Sequence, residues 1–529
     1  MNRVLLFISI GLMSFGSAAF AETPVELGTR LYQEKKWAEA AQVLYQFTET
    51  HAKQDEDYFA AQYYFGLSLF DLKLYQASSY PIIKVVRSGS KKFRQPALEK
   101  LISISGHLKS QKMLDFAISD LRVDDLKKMS DDVYEYKLAE ASYDKGQFDQ
   151  AINYLAQALI KVPDHEAALS LLALSYLKKN NAPLAIESYQ KLLNVYEKSA
   201  EADVLKKDYT TLNLGRAYFQ QKNYPKAIET YSKISRVGHA YRESLKELAW
   251  SYLFIGQTTK AIGILESIHT PYYENYFEPE SIFLRGILLN GICQFDEAEA
   301  TIQVFSENYG RLIDILGAWN TQAIDAQQAI SEIEFTLEIL KAERKGKIKD
   351  KKVKISYNGR IPFKVTRTLL QDYRLENSYE TLLQLKSENL LAVKSFSLDV
   401  NQLPVKTFLE KIYSGRLSYF ENQVATVFNE LLMKVQKDLN YYKDQLAFVS
   451  YEIKEARKKE LKQKVIEENR DQDSTSAVES EKKKKEKKVG YQVWAFDGEF
   501  WRDELNTYEY SGKNLCTADE DNAGAKSEK

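Results

Sequence analysis

Residues 133–163 set a pattern that much of the chain repeats. Tyr136, Ala139, Ser142 and Tyr143 fall at helical spacing, and after Lys145-Gly146-Gln147 so do Ala151, Leu155 and Ala158. This predicts two short amphipathic helices joined by a tight turn. Small alanines occupy the positions where two helices approach closely, with bulky residues between them. Pro163 closes the unit, because proline ends a helix at or before the residue that precedes it.

The unit recurs. Ala151 is followed by Ala185, Ala227, Ala261 and Ala298, at intervals of 34 (185−151), 42 (227−185), 34 (261−227) and 37 (298−261). Leu214-Gly215, Tyr218, Tyr224, Ala227 and Tyr231 make one copy, and Leu248-Ala249, Tyr252, Gly256, Ala261 and Leu265 another. Leu27-Gly28, Leu31, Trp37, Ala40 and Leu44 make an upstream copy, with a weaker one at Gly66, Leu69, Tyr75 and Ser78. Two helices with a period near 34 resemble the tetratricopeptide-repeat (TPR) family over residues 22–310. The resemblance implies an all-α TPR solenoid that acts as a binding platform, without naming its partner. It also implies that the first helix of each repeat lines a groove. On that face stand Tyr136, Glu140 and Tyr143, Leu174 and Leu177, Leu212, Arg216 and Phe219, Lys246 and Trp250, and Phe283 and Asn290. Aromatics among Arg216 and Lys246 would suit an extended peptide bearing an acidic group, or several of them would instead pack one repeat on the next.

Other stretches modify this picture. Residues 1–21 read as a signal peptide, with Arg3, an apolar run over 4–13 and the small-x-small site Ala19-Phe20-Ala21. The run is too short to span a bilayer, no cysteine marks a lipid anchor, and no later segment reads as transmembrane. The expected location is therefore the periplasm or the outer envelope. Residues 22–130 form an N-terminal TPR block whose pattern fades after 88, as a degenerate repeat or an insert, and 131–310 hold the main array. The long interval before Ala227 suggests an extended second helix over 186–201 or a longer loop. Residues 311–470 predict a long-helix, coiled-coil domain with a continuous helical run over 312–344, a resumption over 365–396 and a break at Pro404. Within it, Leu417, Phe420, Val424, Val427, Leu431, Val435, Leu439, Tyr442, Leu446, Val449 and Ile453 advance by steps of three and four. That stripe either folds back on the preceding helices or forms a homodimer or partner contact through residues 417–470. Residues 471–490 are a charged linker and 517–529 a disordered tail. Between them, 491–516 concentrate aromatics. Trp494, Trp501, Leu505 and Tyr508 suggest a helix from about Gly498, and Trp494, Phe496, Phe500 and Trp501 would dock either in cis or as anchors on a partner.

Composition narrows the function. The 73 Lys+Arg and 74 Asp+Glu nearly cancel, which argues against a nucleic-acid partner. Five scattered histidines, without metal spacing, a Walker loop, a dinucleotide glycine pattern or a nucleophile elbow, give no enzyme and no cofactor. Cys293 lies in a repeat turn and Cys516 in the tail, so two separate thiols are expected over a disulfide, although an oxidising compartment would allow one. The signal segment, repeats, coiled coil and tail string together are similar to periplasmic TPR proteins of deltaproteobacteria-like predators and gliders, including the gliding-motility envelope machinery. That similarity implies a scaffold for envelope proteins or peptides. A periplasmic adaptor or chaperone for client peptides, and a regulator of a cell-wall or export machine, are the alternatives.

Overall fold

The computed structural model describes residues 22–516, apart from 52, 89, 109–132, 199–202, 237, 320–322, 345–360, 397–402 and 472–503. The chain is all-α, and the described residues contain no strand. The signal segment, the charged linker from residue 472 onward and the tail beyond 516 lie outside the described residues.

Among the described residues, seven helix pairs carry the repeat. The first two are α1 (Pro24–Gln33) with α2 (Trp37–Thr50), and α3 (Glu56–Asp71) with α4 (Tyr75–Val86). The next described helix is α5 (Arg94–His107). Then come α6 (Val133–Asp144) with α7 (Phe148–Lys161), α8 (Glu166–Lys178) with α9 (Ala182–Lys198), and α10 (Val204–Gln220) with α11 (Tyr224–Tyr231). The last pairs are α12 (His239–Phe254) with α13 (Thr258–Ile268), and α14 (Pro279–Gly291) with α15 (Phe295–Trp319).

One local device makes every pair. The chain turns at Lys35, Lys73, Gly146, Asn180, Lys222, Gly256 and Cys293, all at φ between 57° and 75°. The next residue donates its N–H back to the carbonyl five residues earlier, as Lys36 does to Leu31 and Gln294 to Leu289, both at 2.9 Å. This is the left-handed helix stop that satisfies the last carbonyls of the first helix. Five residues past each turn stands a fully buried small residue: Ala40, Ser78, Ala151, Ala185, Ala227, Ala261 or Ala298. Seven residues before it stands another: Gly28, Gly66, Ala139, Ala173, Gly215, Ala249 or Gly286. Space demands it, since a Cβ on Gly28 would lie 2.4 Å from the Leu44 side chain and one on Gly215 2.2 Å from the Tyr231 ring. The longer spacing before Ala227 comes from α9 and α10, which have 17 residues each, and from the connection between them.

The chain divides into two compact units, residues 1–123 with 383–417, and residues 124–382 with 418–529. The long-helix region is shared between them rather than standing as a third. Its helices are α16 (Ala326–Arg344), α17 (Phe363–Leu369), α18 (Tyr373–Ser395) and α19 (Leu403–Asp471). The run expected over 312–344 is broken, because α15 ends at Trp319 and Asp325 caps α16 by accepting from the Gln328 amide at 2.8 Å. The run over 365–396 is broken likewise at Asp372, which accepts from the Arg374 amide at 2.9 Å. Pro404 starts α19, where its missing N–H costs nothing.

In the first unit, Phe408 of α19 packs on Tyr45 and Phe65, with ring centroids at 5.0 and 5.6 Å. In the second unit, α19 closes the end of the array. Val424, Val427, Leu431, Val435, Leu439, Leu446, Val449 and Ile453 are all buried. Val449 and Ile453 share a core with Leu284, Leu288, Ile292 and Ala298 of the last repeat. A terminal repeat exposes an apolar face that needs such a cap. The stripe from Val424 to Ile453 is therefore buried within the chain, whereas Leu461, Val465 and Ile466 further along α19 are exposed.

The tail differs from expectation. Residues 507–514 form no helix, in place of one continuing from about Gly498. The segment antiparallels α13: the Asn506 amide donates to Ser267 Oγ at 2.7 Å, and the Tyr510 amide to the Thr259 carbonyl at 3.3 Å. The Leu515 amide then donates to the Ile292 carbonyl at 3.0 Å. That register lays Cys516 beside Cys293, and the two form a disulfide with Cα atoms 5.3 Å apart. The expectation of two separate thiols is thus corrected. The left-handed turn at Cys293 and the returning tail bring together residues 223 positions apart.

Candidate functional site

The first helices of the second unit present a ladder of charges and a shelf of aromatics. Arg216 of α10 reaches across to α12, with Nε 2.8 Å from Glu247 and an Nη nitrogen 3.0 Å from Glu243. Burial works against the Arg216 charge, but Glu247 and Glu243 outweigh it and hold its pKa above the ordinary value. One repeat later, Trp250 donates its indole N–H to Glu280 of α14 at 2.9 Å. Lys246 lies 3.2 Å from Glu278 and 3.9 Å from Glu280, and burial lowers its pKa against the pull of Glu280. Glu278 also pairs with Arg242, whose guanidinium lies over the Tyr276 ring at 4.4 Å.

Beside the ladder, Phe254 stacks on Tyr224 at 4.8 Å and meets Phe219 edge-on at 5.6 Å. Trp250 lies 6.2 Å from the same ring. Phe254 keeps 52% of its surface in water. The shelf offers what an extended peptide needs, an apolar seat bordered by groups that bond polar atoms. The next position along the face is closed: Phe283 packs on Tyr442 and Tyr441 of α19, with centroids at 4.9 and 6.0 Å.

Comparison with known proteins bears on this architecture. Family models described as tetratricopeptide repeat match residues 136–203 and 209–236. The chain carries tetratricopeptide repeats. Solved structures similar to it include a tetratricopeptide repeat protein from Parabacteroides merdae, 15% identical, covering 54% of this chain and 91% of that one at a TM-score of 0.24. Another is the C-terminal part of a TPR repeat-containing protein from Cytophaga hutchinsonii, 17% identical, covering 46% and 93% at 0.32. A third is the TPR2AB domain of yeast Sti1 in its pHSP90 complex, 15% identical, covering 44% and 97% at 0.20. No curated protein matches the chain in sequence.

Against the TPR frame, the expected site residues divide. Phe219 and Trp250 join in the shelf. Arg216 and Lys246 stand on the same face, but carboxylates of the chain itself take the place foreseen for an acidic peptide. Tyr136 stacks on His165 of the next repeat at 5.0 Å and is half-buried, and burial raises its pKa. Tyr143 meets Phe148 edge-on at 5.4 Å across its own turn. Tyr136 thus packs one repeat on the next, Tyr143 packs within its own repeat, and Phe283 is covered. Trp494, Phe496, Phe500 and Trp501 lie outside the described residues.

Sequence reasoning missed Phe254, Glu243, Glu247 and Glu280. Phe254 was discoverable, four residues past Trp250 on one helical face. The glutamates were not, because surface glutamates abound and only the pairing of adjacent first helices singles these out. Among the described residues no group of three or more His, Cys, Asp or Glu could hold a metal ion, and no helix is long and apolar enough to cross a membrane.

Proposed function

We propose that this protein is an exported, non-enzymatic interaction scaffold of the bacterial cell envelope, serving a motility or envelope complex and receiving partner peptides on the first-helix face of its second unit. The half-exposed Phe254, seated on Tyr224 and Phe219 beside Trp250, carries this reading. An aromatic held by its neighbours and left open to water is poised as a binding anchor, since it loses little freedom on contact. Two features support export: the signal pattern of residues 1–21, and a disulfide of the kind that persists in oxidising compartments.

The test is affinity capture of the full chain from crosslinked envelopes beside a Phe254→Glu variant, with cell fractionation in parallel. The expected result is a small defined set of envelope proteins, depleted about tenfold by the substitution, the equivalent of about 1.4 kcal/mol. The mature chain should begin at Glu22. Equal recovery by both chains, or a cytoplasmic protein that retains Met1, would overturn the proposal.

A further inference from the structure

We infer that the second-helix groove along α13 is a peptide-binding site separate from the first-helix face, occupied by the chain's own residues 505–516 and gated by the Cys293–Cys516 disulfide.

The tail is read through its backbone. The Tyr241 hydroxyl donates to the Leu505 carbonyl at 3.1 Å, and Gln294 Nε2 to the Lys513 carbonyl at 2.7 Å. With the amides of Asn506, Tyr510 and Leu515 bonded to Ser267 Oγ, Thr259 and Ile292, five groups of the array engage main-chain atoms of the strap. Any extended peptide offers the same atoms. Side-chain choice comes from two positions. Leu505 is 1% exposed, in the core that includes Tyr241 and Leu265. Five residues on, the Tyr510 hydroxyl donates to Glu297 at 2.6 Å. The class of ligand is therefore an extended segment with a leucine anchor and a tyrosine five positions later.

A notch admits it. A Cβ on Gly263 would lie 2.0 Å from the Tyr508 carbonyl oxygen and 2.8 Å from Glu509 Cα. Gly263 stands seven residues past its turn residue Gly256. The equivalent positions in the other pairs hold Gln42, Tyr80, Asn153, Glu187, Glu229 and Ala300. Of the seven pairs, this one alone has glycine there, so its second helix can take a backbone at contact distance.

The disulfide holds the occupant in place. Cys516 is exposed and Cys293 half-buried, within reach of a dithiol reductant. Such a dithiol gives up two electrons and two protons and becomes a disulfide, while Cys293 and Cys516 each gain a hydrogen. The strap then remains attached only through its tether to α19, and its docking becomes an ordinary reversible equilibrium open to competition.

The experiment uses the full chain, oxidised and reduced, and reads amide exchange at 506, 510 and 515 together with binding of a fluorescent peptide that copies residues 504–515. In the oxidised chain the amides should be protected and the peptide excluded. In the reduced chain, and in Cys516→Ser, exchange should quicken about tenfold or more and the peptide should bind. Leu505→Asp alters the strap alone and should let the reduced chain bind the peptide more tightly than the reduced parent does, whereas Gly263→Leu should refuse it in either state. Protection unchanged by reduction, peptide binding equal in the oxidised chain, or no binding to the reduced chain at millimolar peptide would each overturn the inference.

Discussion

Glu388 is buried in the first unit, where it accepts from the Gln76 amide at 2.9 Å and from the Tyr413 hydroxyl and Gln384 Nε2 at 3.1 Å. Burial raises its pKa from 4.5 to about 7 in spite of these three donors. A carboxyl raised on folding binds more protons folded than unfolded between those two values, so stability falls as pH rises through that window. The loss is on the order of 3 kcal/mol, at about 1.36 kcal/mol per unit. Urea unfolding should find the first unit weaker at pH 8 than at pH 5, and Glu388→Gln should flatten the difference. His269 works in the opposite sense in the second unit. Burial first, and then Arg285, lower its pKa from 6.5 to about 4. Its contribution is complete above pH 6.5 and is lost as pH falls toward 4. His269→Gln should remove that acid sensitivity while leaving the first unit unchanged.

At the scale of elements, α19 is the piece whose role depends most on context. Ile453 is fully buried against the last repeat, whereas Tyr451, two residues earlier, is exposed. Ile453→Asp would bury an unpaired carboxylate and should cost about 3 kcal/mol or more, lowering the melting temperature and speeding amide exchange in α14 and α15. Tyr451→Asp should stay within about 0.5 kcal/mol of the parent. The contrast between stripe and outer face could be read from the steps of three and four, but the surface that receives the stripe could not. The same spacing serves a dimer, a partner helix or a fold-back, because periodicity reports only that one face is buried. The repeats were legible for the converse reason. Their turns, buried alanines and small residues at Gly28, Gly66 and Gly215 act within about 40 residues of chain, so local pattern carries them.

At the scale of the whole molecule, the chain returns to itself three times: residues 383–417 rejoin the first unit, residues 424–453 cap the last repeat, and residues 504–516 strap α13. Fold-back of the stripe and docking of the tail in cis were each one of two open alternatives in the sequence, and the surfaces that receive them were not legible. Each return depends on contacts between residues more than 100 positions apart, as when the Asn429 side chain bonds the Ile324 backbone at 3.1 and 2.8 Å. The disulfide is the extreme case, since only the strap's register brings Cys516 to the Cys293 turn. The same folding decides which part of the candidate site stays open. Phe283 has the position the TPR pattern assigns to a groove residue, yet α19 covers it, while Phe254 remains in water.

The most direct measurement is therefore a photo-crosslinking phenylalanine analogue placed at position 254 in living cells, compared with the same analogue at 448, exposed on α19, and at 229, exposed on α11. The expected result is a strong crosslink from 254 to one or a few envelope proteins, with little from the other two sites. Crosslinks from 448 or 229 with none from 254 would contradict a binding role for the first-helix shelf.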